Sequence, residues 1–236
     1  MSANALDISG QITRKVAHAS EQGILPRYVA IEGPIGVGKT TLAKRIGEAF
    51  GYPMMLEPVT ENPFLDRFYR DGRQHALPTQ LFFLLHRARQ VSDLGGDDLL
   101  GPTTVADFLI EKDRLFAQLT LDDTEFELYQ QIHASLAIHP PTPDLVIYLQ
   151  ATTDTLLERV NRRGLDFEQG IERDYLQSLA DAYTEFFHYY DQAPLLIVNA
   201  TEIDFANNET HFELLLDQII HMDGNRQFFN PNPTLL

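Results

Sequence analysis

The sequence predicts an α/β domain built on a mostly parallel, five-stranded sheet with helices on both faces. Short apolar runs at residues 28–31, 54–56, 104–106, 145–149 and 195–198 have the length of strands buried on both sides. Between them lie helical stretches at residues 39–50, 78–94, 122–138, 153–163 and 171–190. A glycine-rich segment joins the first strand to the first helix. In such an alternation the crossovers are right-handed, and ligands bind outside the carboxyl ends of the strands.

A chain of 236 residues, 44% hydrophobic and 22% charged, suits one domain with a continuous core. Residues 27–221 are expected to form it, with 1–26 an N-terminal extension and 222–236 an irregular tail. No run of about 18 apolar residues is present, so no membrane-spanning helix is expected. The first 25 residues lack the apolar stretch of a signal peptide. Cysteine is absent, which excludes disulfides and thiolate metal sites and points to the cytoplasm. With 34 acidic and 18 basic residues the formal charge is −16, a surface that repels polynucleotides. Neither a nucleic acid nor a membrane is an expected partner. His86, His133 and His188 show no metal-ligand spacing.

After the first strand comes Gly33-Pro34-Ile35-Gly36-Val37-Gly38-Lys39-Thr40, followed by Thr41. This is the phosphate-binding P-loop pattern in its required setting, between a strand and a helix. Glycines let backbone N–H groups converge on phosphate oxygens, and the helix directs its positive end at them. Lys39 should neutralise the β and γ phosphates of ATP, and the Thr40 hydroxyl should bind Mg²⁺. The fold class is thereby narrowed to the P-loop NTPase type. No Asn-Lys-x-Asp guanine-reading segment follows, so a small kinase fits better than a GTPase.

The second strand closes on Glu57-Pro58. A carboxylate at that strand end can take a proton from an attacking hydroxyl. Tyr69 and Gln80 stand eleven residues apart. In the helix that follows, Leu81, Leu84, Leu85 and Ala88 mark a core stripe, with Gln80, Phe83 and Arg87 on a neighbouring face. An amide, an aromatic plane and a guanidinium on one face suit a nucleobase. Asp107 follows the third strand as a candidate Mg²⁺-associated carboxylate. Arg159 and Arg163, four residues apart near the end of a helix, can point the same way, with Arg162 beside them. Glu168-Gln169-Gly170 lies just beyond.

Through these motifs the stretch from about Arg27 to Phe205 resembles the deoxynucleoside kinase family, which includes deoxycytidine, deoxyguanosine and deoxyadenosine kinases. The resemblance implies that Glu57 is the general base toward the sugar 5′-hydroxyl and that Tyr69 and Glu168 bind the 3′-hydroxyl. It implies base reading by Gln80, a mobile lid begun by Arg159 and Arg163, and a homodimer packed through long helices. The acceptor would be a 2′-deoxynucleoside, with a purine favoured by the donors and acceptor of Gln80 and Arg87.

Two departures stand out. Many relatives carry Glu-Arg-Ser or Asp-Arg-Ser after the third strand, where this chain has Asp107-Phe108, and a further arginine common in the family's lid is Leu165 here. Counted back from Phe116-Ala117 the segment is one residue short. Either Asp113 takes the base-reading acid position, or Lys112 lands there or reaches the phosphates in place of the lost arginine. A nucleoside monophosphate kinase and a catalytically silent ATP-binding regulator remain as alternatives.

Overall fold

The computed structural model describes residues 3–94 and 103–230. An N-terminal helix α1 (Ala3–Glu21) precedes β1 (Tyr28–Glu32), α2 (Lys39–Phe50) and β2 (Met54–Met55). Helices α3 (Leu65–Asp71) and α4 (Ala76–Leu94) lead to β3 (Thr104–Ala106). Then come α5 (Asp113–Thr120), α6 (Asp123–Ser135), β4 (Leu145–Gln150) and α7 (Thr153–Arg163). The described chain closes with α8 (Arg173–Tyr189), β5 (Leu195–Asn199), α9 (Glu209–Ile220) and β6 (Arg226–Phe229).

The sheet is parallel throughout, in the order β2-β3-β1-β4-β5-β6. It has six strands where the sequence predicts five. The extra strand comes from the segment read as an irregular tail: Arg226–Phe229 pairs along β5 from Leu195 to Val198. Its residues are half exposed, so it lacks the continuous apolar run by which a buried strand is recognised. Helices α1, α3, α5 and α9 also lie outside the helical stretches read from sequence.

Strand periodicity sends alternate residues to opposite faces, and both faces are covered. Val29, Ile31, Ile147, Leu149 and Val198 pack with α1, α2 and α9 in one core. Ala30, Val146, Tyr148 and Ile197 pack with Leu179, Tyr183 and Phe187 of α8 in the other. The α4 stripe is narrower than its spacing suggests: Leu84 is buried, but Leu85 is exposed. No helix among the described residues is long and apolar enough to cross a membrane.

This order places β1 between β3 and β4, so connections leave it toward opposite sides of the sheet. The crevice at its carboxyl end is where such folds bind ligands. The P-loop follows β1 there, Glu57 follows β2 and Asp107 follows β3.

Helix α1 is docked by burial more than by charge. Ile12, Val16 and Ala19 are buried, while Lys15 bridges Glu213 at 2.8 Å and Asp217 at 2.7 Å in a half-exposed pair. Lys15→Met should therefore cost no more than about 1 kcal/mol. Leu216→Ala, in the α9 face beneath α1, should cost about 2–5 kcal/mol. Urea titration of both variants measures the contrast.

Candidate active site

One cavity of about 570 Å³ opens at the carboxyl ends of the strands, bounded by the P-loop, α4, α7 and the loop after β5. Its polar side chains are built up from three strand ends.

At the end of β1 the chain must fold back tightly over the strands. A Cβ on Gly33 would collide with the Leu149 carbonyl, and one on Gly36 would sit 2.8 Å from the Leu156 oxygen. Both glycines have positive φ, so the loop shape depends on residues without side chains. Gly33 and Pro34 lie under the loop, and their carbonyls accept from Lys39 Nζ at 2.7 and 3.4 Å. Ile35, Gly36, Val37, Gly38, Lys39, Thr40 and Thr41 line the cavity. Burial and the nearby Lys112 ammonium pull the Lys39 pKa down, against the carboxylates of Glu32, Glu57 and Asp107. An anion in the loop would relieve that cost.

Asp107 ties β3 to the neighbouring elements. One carboxylate oxygen pairs with the Thr40 hydroxyl, and the other accepts the Glu57 backbone N–H at 2.7 Å. Burial and the Glu57 charge push its pKa up, partly offset by these bonds. A hydroxyl and a carboxylate oxygen meeting beside a phosphate loop form a hard-oxygen donor set that suits Mg²⁺, which completes its shell with water and phosphate. No group of three or more acidic, histidine or cysteine side chains among the described residues is arranged to hold a metal ion by itself, and Mg²⁺ held with a nucleotide does not require one.

Glu57 sits in a buried ionic chain. Its carboxylate pairs with Arg87, whose other guanidinium nitrogen grips Asp113; Lys112 Nζ lies 3.7 Å from Glu57 and 3.1 Å from Glu32. Burial alone would raise the Glu57 pKa. Arg87, Lys112 and Lys39 outweigh it and hold the group down at about 2. Glu57 is thus a fixed carboxylate at any physiological pH.

The unresolved register after Asp107 resolves into distinct positions. Lys112 and Arg87 line the cavity. Asp113 does not: its fully buried carboxylate backs Arg87, which does line the cavity. Its own pKa is raised by burial, against the pull of Arg87 and Lys112. Gln80 and Phe83 line the cavity on the same side of α4 as Arg87, as their helical spacing predicts.

Tyr69 and Glu168 line the cavity together. Gly170 is required beside them, because a Cβ there would lie 2.7 Å from the Tyr69 carbonyl oxygen. Burial raises the Tyr69 pKa far above its ordinary value, with Tyr175 and Glu168 adding to it. Arg159 and Arg163, one turn apart on α7, take different partners. Arg159 donates to the carbonyls of Val37 at 3.1 Å and Ala200 at 2.7 Å, so it braces the P-loop. Arg163 pairs with Glu168, donating from Nε at 2.9 Å.

Three features escape the sequence reading. Glu32 is fully buried beneath the loop and accepts from Gly33 N at 3.0 Å, Leu109 N at 2.8 Å and Tyr183 Oη at 2.8 Å, besides meeting Lys112. An acid ending an apolar strand is the only signal, and it passes for a strand-end solvent group. Ile203, Asp204 and Phe205 after β5 also line the cavity, with no motif to mark them. Thr120 contacts Gln80 from outside the cavity.

Comparison with known proteins agrees with this fold. The family model described as deoxynucleoside kinase matches residues 29–222. A deoxyguanosine kinase of Bacillus subtilis is 38% identical over 191 residues, covering 79% of this chain and 92% of that protein. A deoxyadenosine kinase of Lactobacillus acidophilus is 28% identical, covering 82% and 94%. Among solved structures, a deoxyadenosine kinase from M. mycoides with the products dCMP and a flexible dCDP superposes with a TM-score of 0.71 at 28% identity. It covers 81% of this chain and 98% of its own.

Arg87→Met would leave two buried carboxylates facing no guanidinium, at a cost of about 3–5 kcal/mol at neutral pH. The Glu57 pKa lies below its ordinary 4.5, so its ion pair adds stability above that value, and the gain is lost as pH falls toward about 2. The deficit of the variant, followed by urea denaturation, should therefore narrow as pH is lowered through this window.

Proposed function

This chain belongs to the deoxynucleoside kinase family, and on that premise we propose that it moves the γ-phosphate of ATP to the 5′-hydroxyl of a purine 2′-deoxynucleoside. The products are ADP and the 5′-monophosphate. The observation that carries the reading is the facing of Glu57 and Lys39 in one cavity. A proton acceptor and a phosphate-binding cation are what in-line transfer needs at its two ends.

The deoxynucleoside enters between Tyr69, Gln80, Phe83 and Glu168. Tyr69 and Glu168 take the 3′-hydroxyl, which aims the 5′-hydroxyl at Glu57. A carboxylate of such low basicity is adequate, because a loose transition state develops little charge on the nucleophile before the phosphoryl group arrives. Glu57 serves as a fixed acceptor for the proton as the new P–O bond forms. The P-loop amides and Lys39 hold the β and γ oxygens. Mg²⁺, held by Thr40 and Asp107, would neutralise charge on those oxygens.

Lys112 supplies the cation that the missing arginine provides in relatives. Its ammonium shares the buried carboxylates of Glu57 and Glu32, faces the cavity and lies 4.9 Å from the Phe116 ring centre. Arg163 exchanges Glu168 for the phosphoryl oxygens when the lid closes. The loop from Ile203 to Phe205 takes the adenine of ATP. Gln80 and Arg87 favour a purine acceptor, and related enzymes are named for deoxyguanosine and deoxyadenosine. Exposed Leu85 on α4 and Leu128 on α6 offer an apolar face for a homodimer.

The test is ATP consumption by the purified protein with deoxyguanosine, deoxyadenosine, deoxycytidine, thymidine and their 5′-monophosphates. Turnover on a purine deoxynucleoside, abolished in Lys39→Ala, is expected. Turnover only on monophosphates would move the acceptor assignment to a different kinase class. Glu57→Gln should lower kcat by about 100-fold or more while ATP still binds. Lys112→Met should lower kcat by about 100-fold, with Lys112→Arg recovering part of the loss. Equal activity of the Met and Arg variants would remove Lys112 from the phosphoryl site.

A further inference from the structure

We propose that Thr120, which does not line the active cavity, sets discrimination between 6-oxo and 6-amino purines by fixing the amide orientation of Gln80. The inference rests on the purine deoxynucleoside reading and assigns a role to a residue outside the substrate site.

The geometry is local. Thr120 is the last residue of α5 and is buried. Its hydroxyl donates to the Phe116 carbonyl one turn back, at 2.7 Å. With its single hydrogen committed there, Oγ1 can only accept from its other neighbours. The Gln80 amide nitrogen donates to that oxygen at 3.2 Å. Rotating the amide by half a turn would set its oxygen against Oγ1, so that either two oxygens meet with no proton between them or the hydroxyl must abandon the Phe116 carbonyl. Either outcome loses a buried hydrogen bond that the observed orientation keeps. The amide is thereby held in one of its two orientations.

Orientation matters because the two purine classes are near mirror images in hydrogen-bond polarity. A 6-amino purine presents an N–H beside an acceptor ring nitrogen. A 6-oxo purine presents an acceptor oxygen beside the N1–H. A carboxamide edge offers one oxygen and one N–H side by side, so it complements one class and opposes the other. Flipping the amide exchanges the preference. A glutamine free to rotate would serve both classes, whereas one pinned from behind serves the class that its fixed edge matches. A site that leaves a polar group unpaired against the wrong substrate rejects it far more strongly than one that merely fits it less well.

Thr120 lines instead a smaller cavity of about 310 Å³ that shares Phe68, Tyr69 and Tyr175 with the active cavity. It is therefore a positioning residue, acting through Gln80 and touching no substrate.

The experiment compares kcat/KM for deoxyguanosine and deoxyadenosine in the wild type, Thr120→Val and Thr120→Ser. Valine keeps the shape and removes the acceptor; serine keeps the hydroxyl. The wild type is expected to prefer one purine by at least tenfold, Thr120→Val to bring the ratio toward unity by roughly tenfold, and Thr120→Ser to retain the wild-type ratio. Thermal midpoints report whether each variant is folded. A ratio in Thr120→Val within twofold of the wild type overturns the inference, as does equal loss on both substrates. A wild type with no preference overturns it too. A wild type that turns over neither deoxynucleoside, yet binds ATP, defeats the acceptor assignment itself and the inference with it.

Discussion

The active site depends on keeping charge buried without letting it neutralise. Glu57 is nearly buried, and burial alone would favour its protonated form. Arg87 prevents this by clasping Glu57 with one side of its guanidinium and Asp113 with the other. Burial also acts against the charge of Arg87, but the carboxylates of Asp113 and Glu57 win and raise its pKa beyond its ordinary value. The planar fork of arginine suits this double grip, which a lysine could not make in the same way. Lys112 repeats the logic one step away, between Glu57 and Glu32.

The chain of charges also couples the elements that carry the chemistry. Glu32 ends β1 and binds the P-loop backbone, the segment before α5 and α8 through Tyr183. Asp107 joins the phosphate-loop threonine to the backbone of Glu57. The P-loop and the strand end that carries Glu57 are therefore held in register by side chains that are nearly all buried. Such networks stabilise less than an apolar core of equal size would, because desolvation opposes each ion pair. Their benefit here is geometric, since transfer depends on donor and acceptor oxygens meeting in line.

How much of this was legible in the sequence follows from how local each signal is. The P-loop, its strand and its helix were readable because eight neighbouring residues carry the whole pattern. Gln80, Phe83 and Arg87 were readable because helical spacing puts them on one side of α4. The register around Lys112 and Asp113 was not, because a one-residue deletion shifts the alignment and only the tertiary fold shows which side chain faces the cavity. Glu32 and Thr120 were invisible for a related reason: their partners lie far away in sequence, with Tyr183 151 positions from Glu32 and Gln80 40 from Thr120. The strand Arg226–Phe229 failed the apolar-run test because it lies at the sheet edge, half in solvent.

The central claim is that Arg87, Lys112 and Lys39 hold Glu57 as a permanent carboxylate poised for the acceptor hydroxyl. The most direct measurement is a pH titration of the Glu57 carboxyl carbon by NMR, assigned by comparison with Glu57→Gln. The account predicts a flat signal from pH 8 down to pH 4, with titration only toward a pKa of about 2. A midpoint at or above the ordinary value of 4.5 would mean that burial prevails over the surrounding cations, and the account of the site would fail with it.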